Sequence, residues 1–372
     1  MAKYKLGDIC EIVSGCTPKT GIDEYWNGDI KWITPAELSD ESYVISDSVR
    51  KITDLAVKKT GMTSLPVGTV LLSSRAPIGK VAIAGCEMYC NQGFKNLICS
   101  DIINNRYLYW FLKGNTAFLN SLGRGATFKE ISKSIVSEIE INVPDIQEQE
   151  EAVANLEKIN KVIALRKREL VLLEDLISAR FIEMFGDENN SKNWNVINVE
   201  DVAVVQVGVV IKPSQYYTNK ENGIRAFRSL NIGAGYIRDD DWVYFTEEGH
   251  QKNSKSILKE NDLLIVRSGA PGTACVVTKE YEGYNAIDII IAHPNCKKVN
   301  PYFLCTYTNM PHGKKQINEG TGGAAQQHFN VSKYNKLNLM LPPMELQNEF
   351  EVFVHQINKL KLATSPQTTL TA

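Results

Sequence analysis

A heptad pattern of apolar residues runs along the stretch Gln147 to Met184, which contains neither Gly nor Pro. This period predicts one amphipathic helix of about ten turns, roughly 55 Å long, with an apolar seam suited to a coiled coil. Arg166 and Arg180 interrupt the seam without removing its period. The apolar residues that define the seam are Leu156, Ile159, Ile163, Leu170, Leu173, Ile177 and Met184.

A single amphipathic helix cannot bury its apolar stripe alone, so the pattern calls for a partner helix. The run Glu345 to Leu362 repeats the pattern with Phe350, Phe353, Ile357 and Leu360. This second run is about half as long and ends before a polar segment that contains Pro366. We therefore expect an antiparallel pair, with part of the longer seam, from Leu170 to Phe185, lacking an internal partner.

The chain also repeats itself. Asp8 and Asp201, Gly15 and Gly208, Leu71 and Leu264, and Gly79 and Gly272 are each separated by 193 residues. Near the end of each copy the separation becomes 198, as for Pro144 and Pro342 and for Gln149 and Gln347. The shared order of features predicts two copies of one domain, each followed by an amphipathic helix.

Each copy alternates short β-like runs with Gly/Pro turns and one helical stretch, which favours a largely antiparallel sheet. The predicted fold class is α+β: two mixed α/β domains joined by a long antiparallel two-helix coiled coil, with an internal pseudo-two-fold repeat. The predicted boundaries are 1–144 for domain one, 145–187 for the central spacer helix, 188–343 for domain two, 344–364 for the C-terminal helix and 365–372 for a disordered tail.

Composition narrows the function classes. The 372 residues carry a net charge of −2, and no apolar run reaches membrane-spanning length. With no signal-peptide core at the N-terminus, we expect a cytoplasmic protein that does not associate with a membrane. The eight Cys and five His residues lack metal-ligand spacing, which favours structural thiols over a zinc site.

Sequence motifs of catalysis are missing. The chain has no P-loop, no Gly-x-Gly-x-x-Gly after a strand and no His-Glu-x-x-His, and neither Pro144 nor Pro342 lies in an amino-methyltransferase motif. Asp288 is followed by no Glu-x-Lys of a nuclease. We therefore expect a protein without catalysis of its own, with no metal and no cofactor in this chain.

Two similar domains held apart by a stiff spacer suit contact with two sites on one long object, and DNA is the natural candidate. Loop residues that carry hydroxyl, amide and basic groups can contact base edges or phosphates. The candidates for DNA contact are Thr17, Lys19, Ser74, Arg75, Lys80, Gln92, Lys95, Arg124, Thr127, Lys129, Lys212, Arg228, Asn231, Arg267, Ser268, Thr273, Asn285, Thr321, Gln326 and Gln327.

Each candidate has a structural alternative. Arg75 and Arg267 suit DNA contact and surface salt bridges equally, whereas Gln92 and Asn285 are more typical of buried amides that close turns. Trp32 and Phe227 are better core residues than base-stacking residues. The turn glycines that recur in both copies, Gly15, Gly79, Gly208 and Gly272, indicate unusual backbone angles first and close approach to phosphate second.

The layout resembles the specificity subunit of Type I restriction-modification enzymes. The residues that carry the resemblance are Ser14 to Pro18, Ile30 to Ile33, Gly68 to Arg75, Ile78 to Val81 and Asn91 to Phe94, together with Pro144 and Gln149, and Pro342, Pro343 and Gln347 at the start of the two helices.

This resemblance implies two target-recognition domains that each read one half of a bipartite double-stranded DNA sequence. It also implies modification (methyltransferase) subunits, two of them, that bind S-adenosylmethionine and methylate adenine, and restriction subunits that use ATP with Mg to cleave DNA. Length of the spacer helix would set the gap between the half-sites. A modification subunit or a second copy of this chain would cover the unpartnered part of the seam.

Two other functions remain open from the sequence. The chain could be a free-standing DNA-binding adaptor or decoy that joins no methyltransferase. Alternatively, it could be a protein-interaction scaffold, which the near-neutral charge favours.

Overall fold

The computed structural model describes residues 1–125, 129–319 and 329–364 of the chain. These divide into two compact units, residues 1–164 and 165–372. The helix that starts at Ile146 begins in the first unit and ends in the second at Phe185. Among the described residues, no helix combines the length and apolar content that a membrane span requires.

The first unit contains a five-stranded sheet in the order β2-β9-β6-β7-β4, a three-stranded sheet in the order β5-β3-β8, and the pair β1-β10. Its strands are β1 Ala2–Lys5, β2 Cys10–Ser14, β3 Trp26–Ile33, β4 Val44–Ile45, β5 Arg50–Ile52, β6 Val70–Leu72, β7 Val81–Ala84, β8 Tyr89–Cys90, β9 Lys95–Cys99 and β10 Glu140–Val143. Its helices are α1 Leu6–Ile9, α2 Asp54–Thr60, α3 Asn105–Gly114, α4 Thr116–Ser121, α5 Lys133–Ser137 and the start of α6 Ile146–Phe185.

The second unit contains two four-stranded sheets, β12-β21-β18-β19 and β13-β17-β14-β20, and the pairs β11-β22 and β15-β16. Its strands are β11 Asn195–Asn198, β12 Ala203–Val207, β13 Tyr217–Thr218, β14 Ile224–Phe227, β15 Ile232–Gly233, β16 Tyr236–Ile237, β17 Val243–Phe245, β18 Leu263–Val266, β19 Ala274–Val276, β20 Asn285–Ala286, β21 Ile289–Pro294 and β22 Asn338–Leu341. Its helices, besides the end of α6, are α7 Glu247–Lys252, α8 Pro301–Asn309, α9 Pro311–Glu319, α10 Val331–Asn335 and α11 Met344–Thr364.

The internal repeat extends to strand order and register. The order β2-β9-β6-β7 corresponds to β12-β21-β18-β19, and β5-β3-β8 corresponds to β17-β14-β20. In both copies the first strand pairs antiparallel with the strand before the long helix, with Ala2 opposite Val143 and Asn195 opposite Leu341. Two domains of one α+β fold are therefore confirmed.

The central strands of the two large sheets are buried at every residue, as in β6, β7 and β18, whereas the outer strand β10 alternates between buried and exposed residues. Trp32 and Phe227 lie in the two domain interiors, as the sequence indicates. Only β3-β8, β4-β7 and β14-β20 pair in parallel among the named strands of the described residues, so the sheets are largely antiparallel. Short antiparallel strands place loops, rather than helices, at many sheet ends, and these loops carry most of the candidate contact residues.

Two different structural features explain why glycine occupies the four turn positions. Gly79 and Gly272 have φ of +90° and +77°, which matches the prediction of unusual backbone angles. At Gly15 and Gly208 the φ angle is not left-handed. A Cβ at Gly15 would lie 1.8 Å from the carbonyl oxygen of Asn91, and one at Gly208 would lie 2.3 Å from that of Ala286. Close passage of two backbone segments, in equivalent places, requires glycine there.

Helix α11 packs antiparallel along the last turns of α6. Arg180 Nη2 lies 2.9 Å from Glu349 Oε1, and Lys361 Nζ lies 3.5 Å from Glu174 Oε1. From the first ion pair to the second, the residue number decreases along α6 and increases along α11, so the two helices are antiparallel. Within this stretch the seam residues Ile177, Met184 and Phe353 pack against the core that includes Phe350, while Ile357 is also buried.

The seam prediction is wrong at two places. Phe181 and Phe185, expected to lack an internal partner, are buried in the core of the second unit. Instead, Leu156, Ile159 and Ile163 are 38%, 56% and 49% exposed, and Leu360 is also exposed. The physical reason is length, because α11 has 21 residues and spans about 32 Å, whereas α6 has 40 residues and spans about 60 Å.

Candidate DNA-binding surfaces

One basic cluster in the first unit surrounds a single carboxylate. Arg75 Nε lies 2.9 Å from Glu130 Oε2, and Lys95 Nζ lies 3.2 Å from Glu130 Oε1. Lys95, which is buried, also reaches Ser74 Oγ at 3.4 Å. The backbones of Arg124 and Glu130 exchange two hydrogen bonds of 3.0 Å, which brings Arg124 to the same edge. We call Ser74, Arg75, Lys95, Arg124 and Glu130 the Arg75 cluster.

Charge in the Arg75 cluster is unbalanced. Burial raises the pKa of Glu130, but hydrogen bonds from Arg75 and Lys95 outweigh it and lower that pKa below its ordinary value. The carboxylate is therefore ionised at neutral pH and neutralises one of the bases around it. Lys95 is inaccessible, whereas the Arg75 side chain is 46% exposed and keeps donors available to a ligand.

Other candidates in the first unit have mixed roles. Thr17 donates a hydrogen bond to Gln92 Oε1, which ties together the loops that carry them. Gln92 is exposed, so it is not the buried amide that the sequence favoured. Lys80 donates to the carbonyl of Leu38, so it too is engaged within the domain. Lys19 and Lys129 are exposed.

In the second unit Arg267 is held on two sides. Its Nη1 donates to Asp288 Oδ1, and its Nε donates to the carbonyl of Phe329 at 3.1 Å. The side chain is mostly buried, so the salt-bridge interpretation describes the geometry of this arginine. Thr273 accepts a hydrogen bond of 3.2 Å from Lys314, whose pKa burial lowers to about 8.

Arg228 and Asn231 lie in the turn after β14, and Asn285 is the first residue of β20. Arg228 Nη2 lies 3.1 Å from Asp241 Oδ2, while the buried Nε of Arg228 has no hydrogen-bond partner among the described residues. Asn231 donates to the carbonyl of Asp240 at 2.7 Å. Asn285 is fully buried and donates to Ser256 Oγ at 2.9 Å, which is the structural role favoured from the sequence.

The remaining candidates divide by position. Lys212 is exposed and has a left-handed φ of +41°, and Ser268 is partly buried. Thr127, Thr321, Gln326 and Gln327 lie outside the described residues.

An arginine that sequence reasoning missed lies in the small sheet of the first unit. Arg50 is exposed, and its guanidinium lies 3.6 Å from the centre of the Trp26 ring and 5.4 Å from that of Trp32. The β3–β5 pairing places Arg50 opposite Trp32. Stacking holds the planar guanidinium in place while its edge donors remain accessible. No local signal identifies this cross-strand contact, because the partners are 18 or more residues apart in the sequence.

Arg225 stacks in a similar way in the second unit. Its guanidinium lies 5.3 Å from the centre of the Trp242 ring and 5.9 Å from that of Tyr284. It also pairs with an acid, at 3.2 Å between Nη1 and Asp239 Oδ1. Each domain therefore has an arginine beside aromatic rings in its smaller sheet, but Arg50 lies on β5 and Arg225 on β14, the counterpart of β3, so the two are not equivalent positions.

These groups are suited to binding rather than to a reaction. The surfaces supply guanidinium, ammonium, hydroxyl and amide donors of the kinds that contact phosphates and base edges. Across residues 1–125, 129–319 and 329–364, no three His, Cys, Asp or Glu side chains lie together as a metal site would need.

Two copies of one α+β domain with basic loops, each followed by a helix, define a two-domain DNA-recognition protein. The sequence profile described as the Type I restriction modification DNA specificity domain matches residues 1–175 and again residues 191–367. The chain belongs to this family.

Relatives agree over most of the chain. It is 28% identical over 376 residues to the specificity subunit of the Type I restriction enzyme MjaIX of Methanocaldococcus jannaschii, covering 95% of this chain and 85% of that one. It is 20% identical over 283 residues to the EcoBI specificity subunit of Escherichia coli, covering 69% and 59%.

The fold is similar to that of solved specificity subunits. The crystal structure of the Type I restriction-modification S subunit from M. genitalium aligns with a TM-score of 0.57 at 14% identity, covering 98% of this chain and 90% of that one. A chain from a study of complex assembly and conformational transition of the type I system aligns with a TM-score of 0.58 at 16% identity, covering 98% and 92%.

Proposed function

We propose that this chain reads a bipartite double-stranded DNA sequence, with one half-site for each domain and a gap set by helix α6. The single observation that carries the proposal is the duplication: two domains with the same strand order and register, each followed by a helix. A duplicated reader connected through one continuous helix of about 60 Å is suited to two short sequences separated by a fixed distance.

Arg75 and Arg50 are the proposed contacts of the first domain. Arg75 shares Glu130 with the buried Lys95, so the Arg75 cluster keeps a net positive charge next to an exposed guanidinium. The guanidinium of Arg50 lies 3.6 Å from the centre of the Trp26 ring, and the residue is exposed. An arginine with a fixed plane can fork onto a guanine edge or onto a phosphate.

The chemistry would belong to partner subunits. The proposed partners are two modification subunits, which would use S-adenosylmethionine to methylate adenine, and restriction subunits, which would use ATP with Mg to cleave DNA. Exposed apolar residues on α6 support a helical partner, since Ile159, Val162, Ile163 and Leu165 are each at least 49% exposed. The proposed place of work is the cytoplasm, where these partners and DNA would meet.

A binding selection tests the proposal. The chain, co-purified with a Type I modification subunit that binds it, is incubated with random DNA duplexes, and the bound fraction is sequenced. We expect two enriched blocks at one separation, with affinity that falls steeply as salt rises, because phosphate binding releases counterions. A single continuous block, or binding that does not change with salt, would reject the proposal and favour a protein scaffold.

Substitution of Arg75 refines the same experiment. Arg75→Met is expected to weaken binding and, if Arg75 reads a base, to relax one position of one block at a cost of about 1–3 kcal/mol. If Arg75 binds a phosphate, affinity falls for all sequences alike and the salt slope decreases by about one. Lys58→Met, an exposed residue of α2 outside the proposed contacts, is the matched control and is expected to leave both blocks and the slope unchanged.

A further inference from the structure

A buried glutamine joins the start of the long helix to the first domain. Gln149, in the first turn of α6, is fully buried. Its Oε1 accepts a hydrogen bond of 2.8 Å from the backbone N–H of Asn104. Its Nε2 donates to the carbonyls of Pro144 at 2.9 Å and Ile102 at 3.0 Å. The amide therefore binds the segment before its own helix and the segment before α3 at the same time.

Gln347 makes the equivalent contacts in the second domain. It is 1% exposed and lies in the first turn of α11. Its Oε1 accepts a hydrogen bond of 2.8 Å from the backbone N–H of Asn300, and its Nε2 donates to the carbonyl of Pro342 at 2.8 Å. Both glutamines follow their proline by five residues.

The residues that the two glutamines bind are themselves equivalent. Asn104 and Asn300 are the N-caps of α3 and α8, and the side chain of each accepts hydrogen bonds from backbone N–H groups in the first turn of its helix. Each glutamine therefore fixes the first turn of a long helix against the first turn of a domain helix. A Leu or Met could fill the same space but could not bind these backbone groups, and a buried amide is favourable only when its groups are paired.

A small change in direction at this joint has a large effect at the far end of the helix. For α6, with its length of about 60 Å, a tilt of about 5° moves the far end by about 5 Å. This displacement is about one and a half base pairs at roughly 3.4 Å per pair. Hydrogen bonds that hold the direction of the helix are therefore able to decide which gap lengths fit.

We propose that Gln149 and Gln347 are positioning residues that fix the direction in which each long helix leaves its domain, and so restrict the DNA gap that the protein accepts. The proposal rests on the proposed bipartite reading. It assigns gap tolerance to two buried amides that touch no DNA, whereas the half-site sequences remain with the loops.

The test uses the full chain in complex with its modification subunit. Duplexes carry both half-sites with gaps from two base pairs shorter to two base pairs longer than the natural gap, and methylation rates are compared. For Gln149→Met we expect unchanged half-site preference and a share of methylation at gaps one base pair off that rises at least about tenfold. A factor of ten corresponds to about 1.4 kcal/mol, roughly the net contribution of one of the three hydrogen bonds that the variant loses. Gln347→Met is expected to change the gap tolerance in the same direction.

Two controls separate positioning from stability. Gln147→Met changes an exposed glutamine two residues earlier, and Gln356→Met an exposed one in α11, and both are expected to keep the natural gap preference. Gln149→Asn keeps an uncharged amide but shortens the side chain by one methylene, so it provides a milder variant if Gln149→Met does not fold.

The outcomes distinguish failure of the positioning role from failure of the proposed bipartite reading. If a folded variant at position 149 or 347 methylates more slowly but keeps one gap length, or if none of these variants folds, the glutamines are merely structural and the inference is overturned. If the wild-type complex itself shows no preference for two half-sites at one gap, the proposed function fails instead.

Discussion

Phe181 packs the end of α6 into the core of the second unit, and its substitution by alanine is a quantitative test of that packing. The side chain is 1% exposed and lies in a cluster of rings, with centroids at 4.9 Å to Phe185, 5.4 Å to Phe350 and 5.5 Å to Phe303. Burying about 200 Å² of aromatic surface at about 25 cal/mol per Å² stabilises the fold by about 5 kcal/mol. Phe181→Ala is therefore expected to reduce the free energy of unfolding by about 3–5 kcal/mol.

Urea unfolding followed by tryptophan fluorescence measures this loss. Trp194 packs against the same core and donates from Nε1 to the carbonyl of Phe185 at 2.8 Å, so it reports on this region. Leu172→Ala is the matched control, because Leu172 lies on the same helix and is 55% exposed, and its effect is expected within about 0.5 kcal/mol. A loss below about 1 kcal/mol for Phe181→Ala, or an equal loss for both variants, would refute the packing described for α6.

Two further predictions concern the second unit and the spacer. His312 is buried, and burial lowers its pKa below 6.5 while Glu188 and Asp187 oppose the shift. Because the unfolded state binds the proton first, the contribution of His312 to stability is complete above pH 6.5 and is lost as the pH falls below it. His312→Phe is expected to flatten this pH dependence of the free energy of unfolding, measured with urea between about pH 5 and 7.5. A pH slope equal in both proteins would contradict that sign. Inserting seven residues into the exposed stretch 158–163 lengthens α6 by about 10.5 Å. The gap that the protein prefers is therefore expected to lengthen by about three base pairs, with both half-sites unchanged, in a duplex methylation assay. Altered half-sites, or an unchanged gap at full activity, would count against the spacer role of α6.

The large-scale plan of the chain could be predicted because it depends on periods that a single sequence displays. The helix expected over Gln147 to Met184 extends from Ile146 to Phe185, and the second helix covers Met344–Thr364. Repeated glycines and prolines aligned the two copies, and the strand registers follow that alignment. These features arise from local patterning, which the sequence contains in full.

Contacts between residues that are distant in the chain could not be predicted from the sequence. The heptad period assigned Phe181 and Phe185 to an unpartnered seam, because an apolar helix face has the same period against a partner helix and against a domain core. Similarly, Arg50 shows its stacking only once β3 pairs with β5. Lys95 looked like a loop contact but is buried against Glu130, since the acid that neutralises it lies 35 residues away.

The glutamines illustrate an intermediate case. Their spacing from Pro144 and Pro342 was visible in the sequence and contributed to the family resemblance. Their role was not visible, because the partner groups are backbone atoms before α3 and α8, more than 40 residues away. Backbone partners leave no side-chain pattern in a single sequence.

The most direct test of the central claim is the methylome of a host that lacks its own adenine methylation and expresses this chain with its modification subunit. We expect methylated adenine in one bipartite sequence, with two specific blocks separated by a gap of constant length. Methylation in a single continuous sequence, or in two blocks at variable separations in the wild-type strain, would contradict it.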